Sequence, residues 1–497
     1  MIWDLYLVMP LALVFIGALF LMLFSLVKQV ELTNYNLVTV AFLSVSLIIE
    51  LIIFQNVEHD YLFETIFAKM FIVDKLSTLF NILFLSGAIL TLLINNNYFK
   101  SRDYYNGEFF ALLLFSIFGM MMLAHTNELI TAFISIELAS ITLYVLVGYN
   151  HHSPKSSEAM LKYIILGSLA GVFFILGVAL VYGVVGSTYL GDIYSYLIHH
   201  QNSDISLLVV GMMFMMVTLL FKIGAAPFHS WVVDVYIGSP FPVTMFMATT
   251  LKIAIFSILL RLFLVDFAPI YPLILEIIKV VAIATLLLGS LLAIAQTQLK
   301  GMLAASSIVH VGYMLMALYA IGVGSSFAAS AIIFYLISYF LSALGAFGIL
   351  SFLASDEEKR HLSFDDFKGF AHERPYMAAA MTIFMLSLAG FPSTIGFLGK
   401  FYIFMSVVET GEILLAGLGI LIAFISIYYY FKLIALMYFY PSPNPKKRFP
   451  FAISTLLIVG VALMIVWGGI GTGLIPFVAG ADGLLTIASE ALKTIGK

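Results

Sequence analysis

The chain has 497 residues, of which 62% are hydrophobic and only 10% charged, with a mean hydropathy of +1.09. A water-soluble protein of this length needs far more charged surface, whereas lipid covers most of the perimeter of a polytopic membrane protein. The net charge of −4 gives no reason to expect nucleic acid, and a sequence without cysteine excludes disulfides, thiolate zinc sites and cysteine-ligated iron–sulfur clusters in this chain.

A helix needs roughly 20 apolar residues to cross the hydrocarbon core. Cut at polar or Pro/Gly-rich breaks, the apolar runs predict about fourteen spans in chain order. They are 5–27, 36–55, 71–96, 108–124, 127–149, 159–185, 205–238 (interrupted), 243–265, 272–296, 302–321, 326–353, 376–407 (interrupted), 413–440 and 451–475. The first follows Asp4 rather than a basic segment and shows no small-residue cleavage site, so it reads as a retained span, not a signal peptide. The longest hydrophilic stretch, 354–375, is too short for a soluble domain. The expectation is one all-α membrane domain over 1–497: a three-helix segment (1–100), five-helix groups at 108–265 and 272–440, and a final helix.

Every second connection is basic. Lys28, Lys100, Arg102, Lys155, Lys162, Lys300, Lys359, Arg360, Lys368, Arg374, Lys446, Lys447 and Arg448 make thirteen of the 23 lysines and arginines. The alternate connections, such as "NVEHDYLFET" and "ETGE", are short or acidic. By the positive-inside rule the basic set is cytoplasmic and both termini lie on the outer face.

Setting aside charges assigned to connections leaves Glu137, Lys222, Lys252 and Lys400 deep in spans, with Lys432 near enough to a helix end to snorkel. Each lysine at a helix centre costs roughly 2.5–3.5 kcal/mol on the insertion scale. Three cost about 8–10 kcal/mol, comparable with a whole protein's net stability. One reading is a structural ion pair, Glu137 with Lys222, that merely zips two helices together. Three lysines sharing one deep carboxylate favour a proton relay instead, because a buried lysine can give up its proton where an arginine cannot.

Pro227 follows Lys222 in "LLFKIGAAPFHSW" and breaks the helix entered at residue 205. Membrane proteins tolerate such a break only inside protein or beside a hydrated cavity, and transporters use it as an ion site. The expectation is that the first half-helix ends with free carbonyls that favour the Lys222 ammonium. His229, just beyond, can pass protons near neutral pH or simply bond a neighbouring carbonyl; Asp234 caps a helix or faces the cytoplasmic surface. A second break falls in "SLAGFPSTIGFLGKF", with Pro392 eight residues before Lys400. Two breaks five spans apart point to duplicated five-helix units in opposite orientations. The repeat is imperfect: the lysine precedes the proline in one half and follows it in the other, and His310 stands where a second Glu137 is sought. Glu137, Lys222, Lys252, His310 and Lys400 are expected to form a chain running sideways through the membrane plane.

"LLFKIGAAPFHSWVVDVYIGSPFPVTMFMATTLKIA", "GSLLAIAQTQLKGMLAASSIVHVGYM" and "LSLAGFPSTIGFLGKF" resemble the antiporter-like subunits of respiratory complex I, over roughly residues 210–405. The resemblance implies two inverted five-helix repeats, interrupted helices seven and twelve, and a proton-translocating role. By motif it implies that Glu137 is the helix-five carboxylate, Lys222 the helix-seven lysine, Lys252 its neighbour on helix eight and Lys400 the terminal lysine of helix twelve. His310 and Lys300 fit the helix-ten region. Lys400 argues against the M type, which usually carries glutamate there, and the short C-terminal tail argues against the L type; the N type remains. The same resemblance implies partners among the other membrane subunits, M-type and small quinone-proximal ones included, in a cell inner (plasma) membrane. NADH, quinone, FMN and iron–sulfur clusters are implied only in partner subunits, with no cofactor in this chain. Cation/proton antiporters and membrane-bound hydrogenases have similar subunits and stand as the alternative. The glycines of "WGGIGTG" lie at a span end without the strand and helix of a nucleotide site, and read as helix packing.

Overall fold

The structure is a computed structural model and describes residues 2–27, 30–58, 61–62, 67–200, 205–266, 268–355, 362–441, 453–471 and 480–493. Of the basic residues that set the expected orientation, Lys28, Lys359, Arg360, Lys446, Lys447 and Arg448 lie outside them. Among the described residues, thirteen helices are long and apolar enough to cross a membrane. They are α1 (Ile2–Phe24), α2 (Leu32–Asn56), α3 (Lys75–Ile94), α4 (Gly107–His125), α5 (Leu129–Val147), α6 (Pro154–Val185), α7a (Ser206–Ile223), α8 (Phe241–Leu264), α9 (Tyr271–Ala295), α10 (Leu299–Val323), α11 (Ala328–Ala354), α13 (Ile413–Phe439) and α14 (Ile453–Ile470). Helix α7a continues after a break as α7b (Ser230–Gly238), and the fourteenth span is α12, split into α12a (Pro375–Ala389) and α12b (Ile395–Glu409). A two-residue hairpin, β1 (Tyr61–Leu62) with β2 (Ile72–Val73), joins α2 to α3, and α15 (Ala481–Leu492) follows the last span. The chain is all-α and polytopic, and the breaks fall in the fourth helix of each five-helix group.

Local sequence sets the helix ends. Asp74 and Ser77 form a reciprocal capping box at the start of α3, with Ser77 N–H donating to Asp74 Oδ1 at 2.7 Å. Glu128 caps α5 by accepting from the amides of Ile130 and Thr131 at 3.0 and 2.6 Å. Between helices, small residues let backbones touch. A Cβ on Gly211 of α7a would lie 2.8 Å from the Gly177 carbonyl of α6. At the end of α14, a Cβ on Gly469 would lie 2.5 Å from the Thr394 backbone that begins α12b, so the "WGG" glycines do pack helices.

Burial separates two kinds of helix. The apolar stretches of α8 and α10 are wholly buried and that of α11 is 94% buried, while those of α1, α2, α6, α9, α13 and α14 are at most 39% buried. The outer helices therefore turn most of their apolar surface outward, to lipid or partner chains. The inner three carry Lys252, Lys300 and His310 with Tyr313, Tyr335 and Tyr339. Polar groups sit at the centre because only there can protein atoms meet every donor and acceptor.

Candidate functional site

The two breaks share a design and use their lysine differently. Helix α7a ends at Gly224, whose φ of +75° is the left-handed turn that glycine adopts without strain. The Gly224 and Ala225 amides fold back onto Leu220 and Phe221 carbonyls. The indole of Trp231 on α7b donates to the Phe221 carbonyl at 3.0 Å, and Thr285 of α9 accepts from the Ala226 amide at 2.9 Å. The expected tie between Lys222 and the freed end of its own helix is therefore corrected: indole and backbone amides occupy that end. Lys222, 1% exposed, turns sideways to α5 instead. Its Nζ donates to Ser140 Oγ at 2.7 Å and Tyr144 OH at 3.2 Å, and stands 4.0 Å from Glu137 Oε1. Room for this group comes from α6. A Cβ on Gly171 would lie 2.7 Å from Glu137 Oε1, and one on Gly167 would collide with the Tyr144 hydroxyl.

At the second break the tie expected for Lys222 belongs to Lys400. Helix α12a ends at Gly390, with φ of +82°, and Lys400 reaches back from α12b to donate to the Ala389 carbonyl at 2.9 Å. An ammonium on the last carbonyls of a helix meets its negative end. Lys400 Nζ also lies 5.1 Å from the centre of the Tyr313 ring. Lysine before proline in one half and after it in the other thus reflects two jobs: one lysine pairs with a neighbouring helix, the other bridges the break.

Between the breaks lie Lys252 and His310. Lys252 follows a turn of π-helix at Met247–Leu251, a distortion common at functional sites. Its Nζ donates to Ser307 Oγ at 2.7 Å and the Ser307 carbonyl at 3.1 Å, with the Tyr339 ring 6.0 Å away. One helical turn along α10, His310 joins Tyr335 OH through Nδ1 at 2.6 Å and Tyr430 OH through Nε2 at 3.1 Å. Its ring lies 4.9 Å from that of Tyr339 and 6.2 Å from that of Tyr313. The arrangement runs Glu137, Lys222, then Lys252, Ser307, His310, Tyr313 and Lys400 across α5, α7a, α8, α10 and α12b. All four lysine and histidine groups in it are under 5% exposed.

Two further candidates stand apart. Lys300, at the start of α10, donates to the Ser239 carbonyl and lies 3.5 Å from that of Ile237, capping the end of α7b beneath the Phe241 ring. It lines a cavity of about 660 Å³ together with Arg102, His152, Lys155 and Gln298, so these basic connections converge on one face. His229 sits at the start of α7b, part-exposed, outside the lysine row. Asp234 is paired with Lys162 at 2.7 Å on an exposed surface.

The family described as NADH:quinone oxidoreductase/Mrp antiporter, TM, matches residues 126–426, which hold both breaks and the whole lysine row. The chain belongs to this family. Among relatives of this antiporter-like family, NADH-quinone oxidoreductase subunit N of Trichlorobacter lovleyi is 38% identical over 86% of this chain and 86% of its own length. A chain of respiratory complex I from Thermus thermophilus with bound aureothin superposes with a TM-score of 0.77 at 30% identity, covering 94% of this chain and 98% of that one. A chain of the Mrp complex from Dietzia sp. has a TM-score of 0.85 at 19% identity over 100% of this chain and 98% of its own, which establishes a shared fold.

Sequence reasoning missed the partners. Ser140, Tyr144, Ser307, Tyr335, Tyr339 and Tyr430 are ordinary in an apolar run, although Tyr335 and Tyr339 stand four apart on one helix face and signal a polar stripe. It also missed Glu50, Asp74, Asn81, His125 and Arg261, all of which the fold buries.

Proposed function

We propose that the chain is the N-type, proton-translocating membrane subunit of an NADH:quinone oxidoreductase, carrying no redox step of its own. The observation that carries this reading is the row of buried amines running between two helix breaks, with Glu137 at one end and the Ala389 carbonyl of α12a at the other. Protons enter from the basic, cytoplasmic face through the cavity above Lys300. Lys222 holds one against Glu137; it passes through Lys252 and His310, with water completing the gaps, to Lys400, and leaves on the outer face. Each hop moves one proton from an ammonium or imidazolium to the next neutral nitrogen. Electrons run in partner subunits, which include the M-type and the small quinone-proximal chains, in the plasma membrane with both termini outside.

Magnitudes support the Glu137–Lys222 pair as the control point. At 4.0 Å and an effective dielectric near 20, two unit charges attract by about 4 kcal/mol. Doubling the separation forfeits about 2 kcal/mol, close to the ~2.3 kcal/mol needed to move a charge through 100 mV. Moving α5 about 4 Å away from α7a therefore supplies a little under half of the ~4.6 kcal/mol that a lysine at its ordinary pKa needs to release its proton at pH 7.

The test is Lys222→Ala with Lys400→Ala in the assembled complex, reconstituted in proteoliposomes, reading quinone reduction and proton uptake together. Loss of pumping is expected, without dependence on sodium or potassium. Normal pumping would overturn the proposal, and cation-dependent exchange without an electron donor would assign the chain to the antiporters instead.

A further inference from the structure

A second buried polar group lies near the face opposite the basic cavity, on helices the lysine row does not use. Glu50 of α2, Asn81 of α3 and His125 of α4 are 1%, 0% and 5% exposed. The Asn81 amide nitrogen lies 2.7 Å from Glu50 Oε1 and 2.7 Å from His125 Nε2. One NH2 group has two hydrogens, so it serves both neighbours only when both accept. In that arrangement Nε2 is unprotonated and the ring proton sits on Nδ1, 3.0 Å from the Ile72 carbonyl of the hairpin.

The remaining groups around the triad are accounted for. From α8, Arg261 pairs with Asp74 at 2.9 Å and donates to the Ala124 carbonyl, next to His125, at 3.3 Å. From α3, Lys75 lies outward over the Phe54 ring. From α1, Leu7, Val8 and Leu11 line a small cavity that reaches His125, with Tyr6 packed nearby. Arg261 is thus spent on Asp74, while Glu50 Oε2 and Asn81 Oδ1 are buried without a partner. A carboxylate kept only for structure needs donors on both oxygens. This one has a single neutral donor, shared with an imidazole.

We propose that Glu50 and His125, joined by the Asn81 amide, form a second proton-holding site that exchanges protons with water on the outer face, separately from the lysine row. A proton from that water binds Nε2 and turns the imidazole into a donor on both nitrogens. The amide hydrogens no longer fit, so Asn81 rotates and presents Oδ1 to the new N–H. Oδ1 then faces Glu50 Oε1, and a second proton from the same water binds that oxygen and bonds the amide. Two protons load together, the triad changes from one negative to one positive charge, and both return to water when the amide turns back. The site's use in turnover rests on the proton-translocating reading; its paired loading does not.

The test is infrared difference spectroscopy of the assembled complex, stepping the outer pH from about 3 to about 9, which spans the ordinary carboxyl and imidazole ranges. Carbon-13-labelled histidine marks the imidazole. A carboxyl signal and an imidazolium signal that rise and fall together are expected. Glu50→Gln and His125→Asn should each reduce both by about tenfold or more, Asn81→Leu should uncouple them, and Lys222→Arg should leave both in place. Carboxyl and imidazole signals in the wild-type complex that ignore outer pH, or titrate independently, would overturn the proposal even if a variant fails to assemble. An unchanged ratio of protons moved to electrons transferred in Lys222→Arg would count against the lysine row alone.

Discussion

Replacing Lys222 by arginine separates holding a charge from releasing a proton. The guanidinium keeps the attraction to Glu137, about 4 kcal/mol at 4.0 Å and an effective dielectric near 20, and can still donate to Ser140 and Tyr144. Lysine, at its ordinary pKa, needs about 4.6 kcal/mol to lose its proton at pH 7, and arginine about 8–9 kcal/mol. The difference of about 4 kcal/mol makes proton release roughly a thousandfold rarer, far beyond what a potential of 100 mV restores. The Arg variant should therefore assemble as well as the parent, unlike the Ala variant, which leaves a partly buried carboxylate unpaired. Proteoliposomes energised with NADH and quinone give the assay: the ratio of protons moved to electrons transferred should fall in Lys222→Arg while the complex elutes intact. An unchanged ratio at an unchanged rate would refute the idea that Lys222 must give up its proton.

Gly390→Ala should lower thermal stability, because its φ of +82° costs a side chain about 1–2 kcal/mol and the new Cβ would lie 2.8 Å from Lys400 Cδ. An unaltered melting profile of the purified complex would contradict that. Substituting Phe for His310 strands the hydroxyls of Tyr335 and Tyr430, at about 1–3 kcal/mol each, and should slow pumping more than it slows quinone reduction; His310→Gln should recover stability without recovering the rate. At the turn before α13, the Lys279 ammonium at 2.8 Å, with the Tyr319 hydroxyl, holds the Glu412 carboxyl below its ordinary value. A depressed carboxyl contributes stability above its unfolded pKa of ~4.3 and loses it as pH falls through the lower folded value. Hydrogen exchange in the turn before α13 should therefore quicken only below about pH 4, and Glu412→Gln should abolish that dependence.

Much of the fold was legible because lipid imposes a simple rule: length and apolarity mark a span, and proline with glycine marks a break. Both breaks, and the residues Glu137, Lys222, Lys252, His310 and Lys400, were readable for that reason. What each lysine touches was not. Lys222 and Lys400 look alike in sequence, and only the path of the chain shows that Ser140 and Tyr144 meet one and the Ala389 carbonyl the other. Residues such as Glu50 and Arg261 escaped because a charge within about two turns of a helix end has the same one-dimensional signature as a snorkelling surface group. Their burial depends on neighbours contributed by α3, α4 and the hairpin.

The bond from Lys400 to the Ala389 carbonyl has a mechanical corollary. While that amine is charged, it fastens two half-helices across their gap; once neutral, it keeps a weak dipole contact and loses the electrostatic grip. Neutralising Lys400 therefore loosens the side-chain tie across residues 390–394 and leaves the Gly390 and Phe391 amides to hold the end of α12a, whereas neutralising Lys222 leaves its own break latched by the Trp231 indole as well. On the proposed proton route, the later hinge would feel whether its cargo has gone, and the earlier one would not.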